Sequence, residues 1–389
     1  MTFGRRRWFQ LFLVIGLLVG GLALWYGGWP RTPVVRGPDP VAELLKLEIG
    51  GLEQWILIRG EDRPNPILLW LHGGPGATQM PVHRAYNQAL EKDFVVVHWD
   101  QRGAGKSNHG GFREETMTLD RFVEDVREVT AYLTDRFDRD HILLVGHSWG
   151  ALLGMHTVAR HPNDYLGFVS VAQPVHADRA DLLSHEWLER QVTEFGSETE
   201  REEFDALGPP PFQAHTDYVA FAHMKDRFGG SMDRSMQELT WRALRATEYS
   251  WLDYRRWLEG ANRGSGPMWD EIGQHDLFSR VPAVQVPVWF IVGERDYNTP
   301  AVLVAEYHEK LEASRGAHLM VMEGVSHTPH LGDPEAFHAE LRKVRSKVAG
   351  PGFSRDVKTY AIPCRSASTE TFSFVPGTVG WLGWARTGR

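Results

Sequence analysis

Apolar positions along the chain change their rhythm three times. Continuous apolar runs of buried-strand length stand at ILLWLH (67–72), FVVVHW (94–99), ILLVG (142–146), FVSVA (168–172), VWFIV (288–292) and HLMVME (318–323), with helical spacing between several of them. That alternation predicts a mostly parallel sheet wrapped by helices, an α/β class. Ahead of it, VAELLKLEI and LEQWILIRG flank Gly50-Gly51 and read as a β-hairpin. Between about 173 and 280 the strand signal disappears. LLSHEWLERQVTEFG, DYVAFAHMKDRFG, MQELTWRALRA and YSWLDYRRWLEG have amphipathic helical spacing, broken at GPPPF (208–212) and GGS (229–231). A helical cap over 173–280 is therefore expected, dividing the core into 41–172 and 281–349. Trp187, Trp241, Trp251 and Trp257 are expected to fill the interior of that cap. From Gly350 the chain turns to Ser, Thr, Gly and Pro without period, so 350–389 reads as a disordered tail.

The N-terminus has a pattern of its own. After a basic stretch, 1–7, with Arg5, Arg6 and Arg7, the run Trp8 to Tyr26 contains one strongly polar side chain, Gln10. A helix of that length spans about 28 Å, close to the hydrocarbon thickness of a bilayer. Residues 8–28 are read as a transmembrane anchor, with aromatics at both ends and arginines that favour a cytoplasmic N-terminus. The expected localisation is a single-pass membrane protein with its catalytic part outside the cytoplasm; a cleaved signal peptide is the alternative. Residues 29–40, WPRTPVVRGPDP, form a Pro/Gly-rich linker.

Composition narrows the function by exclusion. Of 389 residues, 42% are hydrophobic and 24% charged, and the net charge of −8 is spread without a basic block. Nothing there suggests nucleic acid, so a small molecule or short peptide is the expected partner. One cysteine, Cys364, permits no internal disulfide and no thiolate zinc cluster, and the 18 histidines include no HExxH. His327 and His330 lack flanking carboxylates. No metal and no cofactor are expected.

The chemistry concentrates in ILLVGHSWGALLGMHTVARHP. Gly146, Ser148 and Gly150 make a Gly-x-Ser-x-Gly pattern between an apolar strand and a small-residue helix, the context in which a serine hydroxyl projects above a sheet. A serine needs a base to take its proton and an acid to hold that base in one tautomer. VWFIVGERDYNTP offers Asp296 beyond a strand, with Thr299 and Pro300 opening a helix; Glu294 is the rival acid. HLMVMEGVSHTPH offers His327, with His330 as the rival base. Donors for an oxyanion are expected from the glycine loop HGGPG (72–76), through the N–H of Gly74, and from the N–H of Trp149.

WDQRGAGKSN (99–108) ends like a phosphate-binding loop. A Walker loop requires glycine five positions before Gly105, where this chain has Asp100, so a nucleotide is not expected.

HGGPG, DQRGAGKS, GHSWG, GERDYNTP and SHTP, in this order, resemble the proline iminopeptidase branch of the α/β-hydrolase family over residues 41 to 345. The resemblance implies an α/β-hydrolase fold, a Ser148, Asp296, His327 triad and release of N-terminal residues, often proline, from short peptides. It also implies that Asp100 and Arg102 pin the DQRG loop. The chain departs from the pattern at His147, where the peptidases often have glycine. The cap glutamates that bind the substrate's amine have no clear counterpart, with Glu238 and Glu248 as weak candidates. A carboxylesterase and a low-turnover receptor on the same scaffold are the alternative functions.

Overall fold

The computed structural model describes residues 3–28, 30–111 and 113–348. Among them an eight-stranded sheet is built from β1 (Val41–Ile49), β2 (Leu52–Gly60), β3 (Ile67–Leu71), β4 (Val95–Asp100), β5 (Ile142–His147), β6 (Tyr165–Val171), β7 (Val288–Gly293) and β8 (Ala317–Met322). Their order across the sheet is β1-β2-β4-β3-β5-β6-β7-β8. The hairpin brings Ile49 opposite Leu52 across Gly50-Gly51, and β2 runs antiparallel to β4. Every pairing from β4 to β8 is parallel. Both faces of β3, β4, β5 and β7 are buried throughout, which is why these strands read as unbroken apolar runs. The two edge strands, β1 and β8, are mostly half-buried.

The helices are α1 (Phe3–Gly28), α2 (Leu119–Phe137), α3 (Trp149–Arg160), α4 (Ala177–Phe195), α5 (Glu198–Leu207), α6 (His215–Arg227), α7 (Met236–Ala243), α8 (Trp251–Ser265), α9 (Trp269–Gly273), α10 (Ala301–Lys310) and α11 (Pro334–Val348), with shorter turns between them. Successive residues of one strand point to opposite faces. Leu69 and Leu71 therefore join a core with α2, α3 and α10, whereas Leu68 and Trp70 join a second one with Phe337, Leu341 and Val344 of α11. Because β3 to β8 are parallel, the loops after β3, β4, β5, β7 and β8 all emerge at one edge of the sheet.

Helices α4 to α9 form an insertion between β6 and β7. Ser197 and Glu200 start α5 with a reciprocal capping box. Of the four tryptophans expected inside this region, Trp187 is buried and stacks on Tyr297 at 4.1 Å, and Trp257 is half-buried with its indole N–H on the carbonyl of Thr78. Trp241 and Trp251 are exposed, a correction to that expectation.

The loop after β4 ties the insertion down. Asp100, buried, accepts from the backbone N–H of Lys106 at 2.8 Å and from the hydroxyls of Thr78 and Tyr249. Lys106 Nζ lies 2.6 Å from Asp253 Oδ2 on α8 and over the ring of Trp55 at 4.2 Å. Arg102 pairs with the buried Asp125 of α2 at 2.7 Å. The glycines of DQRGAGKS thus serve a turn whose charges grip protein.

The expected membrane anchor requires correction. Helix α1 forms, and its side chains described in sequence, Gln10 to Gly21, are exposed. Among the described residues no helix is long and apolar enough to cross a membrane. The single-pass, extracytoplasmic localisation is withdrawn on this ground. The 350–389 tail lies outside the described residues.

Candidate active site

β5 runs into α3 through Ser148, whose backbone stands at φ 54° and ψ −117°, a conformation that costs free energy for a residue bearing a side chain. The turn closes so tightly that a Cβ on Gly146 would strike the carbonyl of Gly150, and one on Gly150 the carbonyl of Leu71. The N–H of Ser148 donates to the carbonyl of Val171 at 2.9 Å and fastens the turn to β6. Ser148 thereby lines a cavity between the sheet edge and the insertion.

The loops after β7 and β8 converge on it. His327 Nε2 lies 2.9 Å from Ser148 Oγ, and His327 Nδ1 lies 2.9 Å from Asp296 Oδ2. Asp296 is 1% exposed, and its Oδ1 accepts from the N–H groups of Asn298 and Thr299 at 2.9 and 2.8 Å. Thr299 Oγ1 donates to Oδ2 at 2.7 Å. Burial pushes the Asp296 carboxyl upward, but the His327 ring and these donors outweigh it and hold the group below the ordinary aspartate value. An ionised Asp296 keeps a proton on Nδ1, so Nε2 faces the serine as an acceptor. Thr299 is thus turned onto Asp296, and Pro300 takes the N-cap position of α10.

The rivals stand elsewhere. Glu294 is half-buried and accepts from the N–H of Gly324 at 3.0 Å. His330 is buried with its ring edge-on to His147 at 4.7 Å and to Trp70 at 5.1 Å, and burial drives its pKa well below the ordinary histidine value.

The cavity holds about 420 Å³ and its wall is mainly apolar, with Val82, Leu152, Met236, Leu239, Trp257 and Trp269 among its residues. Gly74 and Trp149 line it beside Ser148. His72 fixes the glycine loop: one ring nitrogen donates to the carbonyl of Gly73 at 2.7 Å, and the other accepts from the N–H of Gln101 at 3.2 Å. Burial pushes that imidazole down to about 4 against the pull of the Gly73 carbonyl, so it is neutral.

Residues 66–334 match the family model described as the alpha/beta hydrolase fold. The chain belongs to the α/β-hydrolase family, in its proline iminopeptidase-like branch. Probable aminopeptidase YbaC of Bacillus subtilis (strain 168) is 31% identical to it over 307 residues, 78% of this chain and 96% of that protein. The proline iminopeptidase of Heyndrickxia coagulans is 25% identical over 278 residues, 71% of this chain and 88% of that protein. The crystal structure of proline iminopeptidase from Mycobacterium smegmatis shares the fold at a TM-score of 0.58 and 22% identity, covering 79% of this chain and 98% of that one.

In this α/β hydrolase Glu238 and Glu248 do not line the cavity, which corrects their candidacy for substrate binding. Glu248 pairs with Arg84 at 2.8 Å and accepts from Thr32, and Glu238 accepts from the Tyr86 hydroxyl at 3.0 Å. Both carboxylates are already occupied by protein donors. Asp181 on α4, which sequence reasoning passed over, is the one carboxylate lining the cavity among the described residues. Burial pushes it up to about 6, while Lys225 opposes the rise and Asp178 adds to it. The only signal for it was the acidic pair Asp178 and Asp181, one helical turn apart. Among the described residues no cluster of three or more His, Cys, Asp or Glu is arranged to hold a metal.

Proposed function

We propose that the protein is a serine aminopeptidase of proline iminopeptidase type that works through an acyl-enzyme. The observation that carries this reading is the chain of two 2.9 Å contacts from Asp296 through His327 to Ser148 at the wall of the cavity. Ser148 Oγ attacks the carbonyl carbon at the substrate's first residue while its proton passes to His327 Nε2. The C–N bond then breaks, and that proton goes to the leaving amine. Water repeats the sequence on the ester, and its proton returns to Ser148 by way of His327. Asp296 stabilises the imidazolium. The N–H groups of Gly74 and Trp149 are the donors for the oxyanion, each typically worth about 10²-fold or more in rate.

An aminopeptidase must also recognise a free ammonium. Asp181 is the cavity group able to pair with one, and the aminopeptidase names of the relatives agree with that assignment. A carboxylesterase is the second reading, favoured by the largely apolar wall. Aminoacyl arylamides with free and acetylated amines, assayed beside short-chain esters, separate the two. Turnover of the free-amine arylamides and loss on acetylation is expected. Rapid ester cleavage without arylamine release would move the assignment to esterase.

A further inference from the structure

We propose that Asp233, in the insertion, is a positioning residue for the His327 base, acting through the backbone on either side of it. The proposal rests on the reading of His327 as the base. Asp233 Oδ1 accepts from the N–H of Ser326 at 2.7 Å, and Oδ2 accepts from the N–H of Thr328 at 2.8 Å and from its hydroxyl at 2.9 Å. The N–H of Asp233 donates back to Thr328 Oγ1 at 3.1 Å. One carboxylate therefore brackets His327 by its two neighbours. Between them the N–H of His327 itself donates to the carbonyl of Ser231 at 2.8 Å.

Three successive donors of the loop after β8 thus end on residues 231 and 233 of the link between α6 and α7. These N–H groups have left the sheet ladder and must be satisfied elsewhere. Bonds from N–H to a carboxylate are about twice as strong as neutral ones. The clasp is itself anchored: the N–H of Met232 donates to Asp226 Oδ1 at 2.9 Å, and Arg234 Nε to the carbonyl of Leu331 at 3.0 Å. The same link holds the acid loop, through the N–H of Tyr297 on the carbonyl of Gly230 and Asn298 Nδ2 on Ser231 Oγ. The insertion therefore builds the base and acid loops as well as roofing the cavity. Any swing of this link would carry the imidazole away from Ser148, and a misplacement of about 1 Å can cost on the order of 10²-fold in rate.

The test uses the full chain with Asp233→Asn and Asp233→Ala. Asparagine keeps one acceptor and turns the other into a donor, so its shape is retained while one side of the clasp opens. The kcat is expected to fall about tenfold for Asp233→Asn and on the order of 10²-fold for Asp233→Ala, with KM within about twofold. The low-field proton NMR signal of His327 Nδ1–H is expected to broaden or move upfield in Asp233→Asn. Should the alanine variant fail to fold, the asparagine variant decides. An Asp233→Asn protein with wild-type kcat and an unmoved low-field proton would overturn the proposal, whatever its melting temperature. Ser148→Ala is assayed alongside. Turnover by Ser148→Ala would bring down the site reading itself, whereas an inactive Ser148→Ala beside a fully active Asp233→Asn would bring down only the role of Asp233.

Discussion

The backbone carbonyl of His327 lies 2.9 Å from Nε2 of His147, the residue immediately before Ser148. The proton on that bond can be assigned by elimination. Trp70 Nε1 can only donate, and it meets Gln79 Oε1 at 2.6 Å, which leaves the Gln79 amide nitrogen to donate to His147 Nδ1 at 3.0 Å. His147 therefore carries its proton on Nε2 and donates to His327. Burial, with the His327 ring beside it, pushes His147 down to about 3, so the ring is neutral through the working pH range. The His147 side chain thus ties Gln79, three residues past the glycine loop, to the loop after β8.

Replacing His147 by Phe removes both ring nitrogens and keeps an aromatic ring. The kcat/KM of His147→Phe is expected to fall on the order of tenfold, since one backbone tether of the base is lost while the Asp296 and Ser148 contacts remain. Steady-state kinetics on one arylamide checks it. Full activity would show that the tether contributes nothing to the base.

Asp181→Asn removes the charge facing the cavity without changing its shape. Loss of one partner of a buried ammonium–carboxylate pair costs at least about 2 kcal/mol, so kcat/KM on free-amine arylamides is expected to fall about 30-fold or more. Ester cleavage by the same variant should change less than about threefold. Equal losses on both substrates would take Asp181 out of amine recognition.

A Cβ on Gly76 would run into the carbonyl of Gly260, and one on Gly264 into the carbonyl of Pro75, so α8 lies directly on the HGGPG loop. Gly76→Ala must therefore displace one against the other. Overpacking of this kind costs about 1–3 kcal/mol. The variant is expected to lose that much stability in urea and to lose kcat as well, because the displaced loop carries Gly74.

Acid should destabilise the fold through its buried histidines. His72, His156, His275 and His338 are pushed down to about 4, and His98 and His147 to about 3, in each case chiefly by burial. Below about 6.5 the unfolded chain binds protons there that the folded chain refuses, so stability falls as pH falls through this window. Asp100 and Asp181, each raised to about 6 by burial, bind protons in the folded state first and oppose the trend below that pH. The histidines outnumber them, and unfolding is expected to take up more than one net proton between pH 6.5 and 4.5. A flat dependence of urea-unfolding free energy on pH would contradict it.

What the sequence conveyed, and what it withheld, follows from locality. ILLWLH, FVVVHW and VWFIV announce their strands because burial on both faces leaves no polar position, and Gly146 and Gly150 announce the turn because only hydrogen fits there. The insertion was legible as helices but not as surfaces, since amphipathic spacing does not say whether Trp241 turns inward or out. Glu238 and Glu248 were singled out by residue type, and the partners that occupy them, Tyr86 and Arg84, lie about 150 or more positions away in sequence. Asp233 carries no local mark, and Asp181 only its spacing from Asp178. Their significance appears only once the cavity and the loop after β8 exist in three dimensions.

The proposed chemistry depends on the hydroxyl of Ser148 as the nucleophile. A fluorophosphonate probe added to the purified full chain, with the modified residue located by peptide mass spectrometry, tests it most directly. One probe per chain on Ser148 is predicted, with no labelling of Ser148→Ala and a fall in kcat on the order of 10⁶-fold in that variant. Labelling at another residue, or substrate turnover that survives Ser148→Ala, would contradict it.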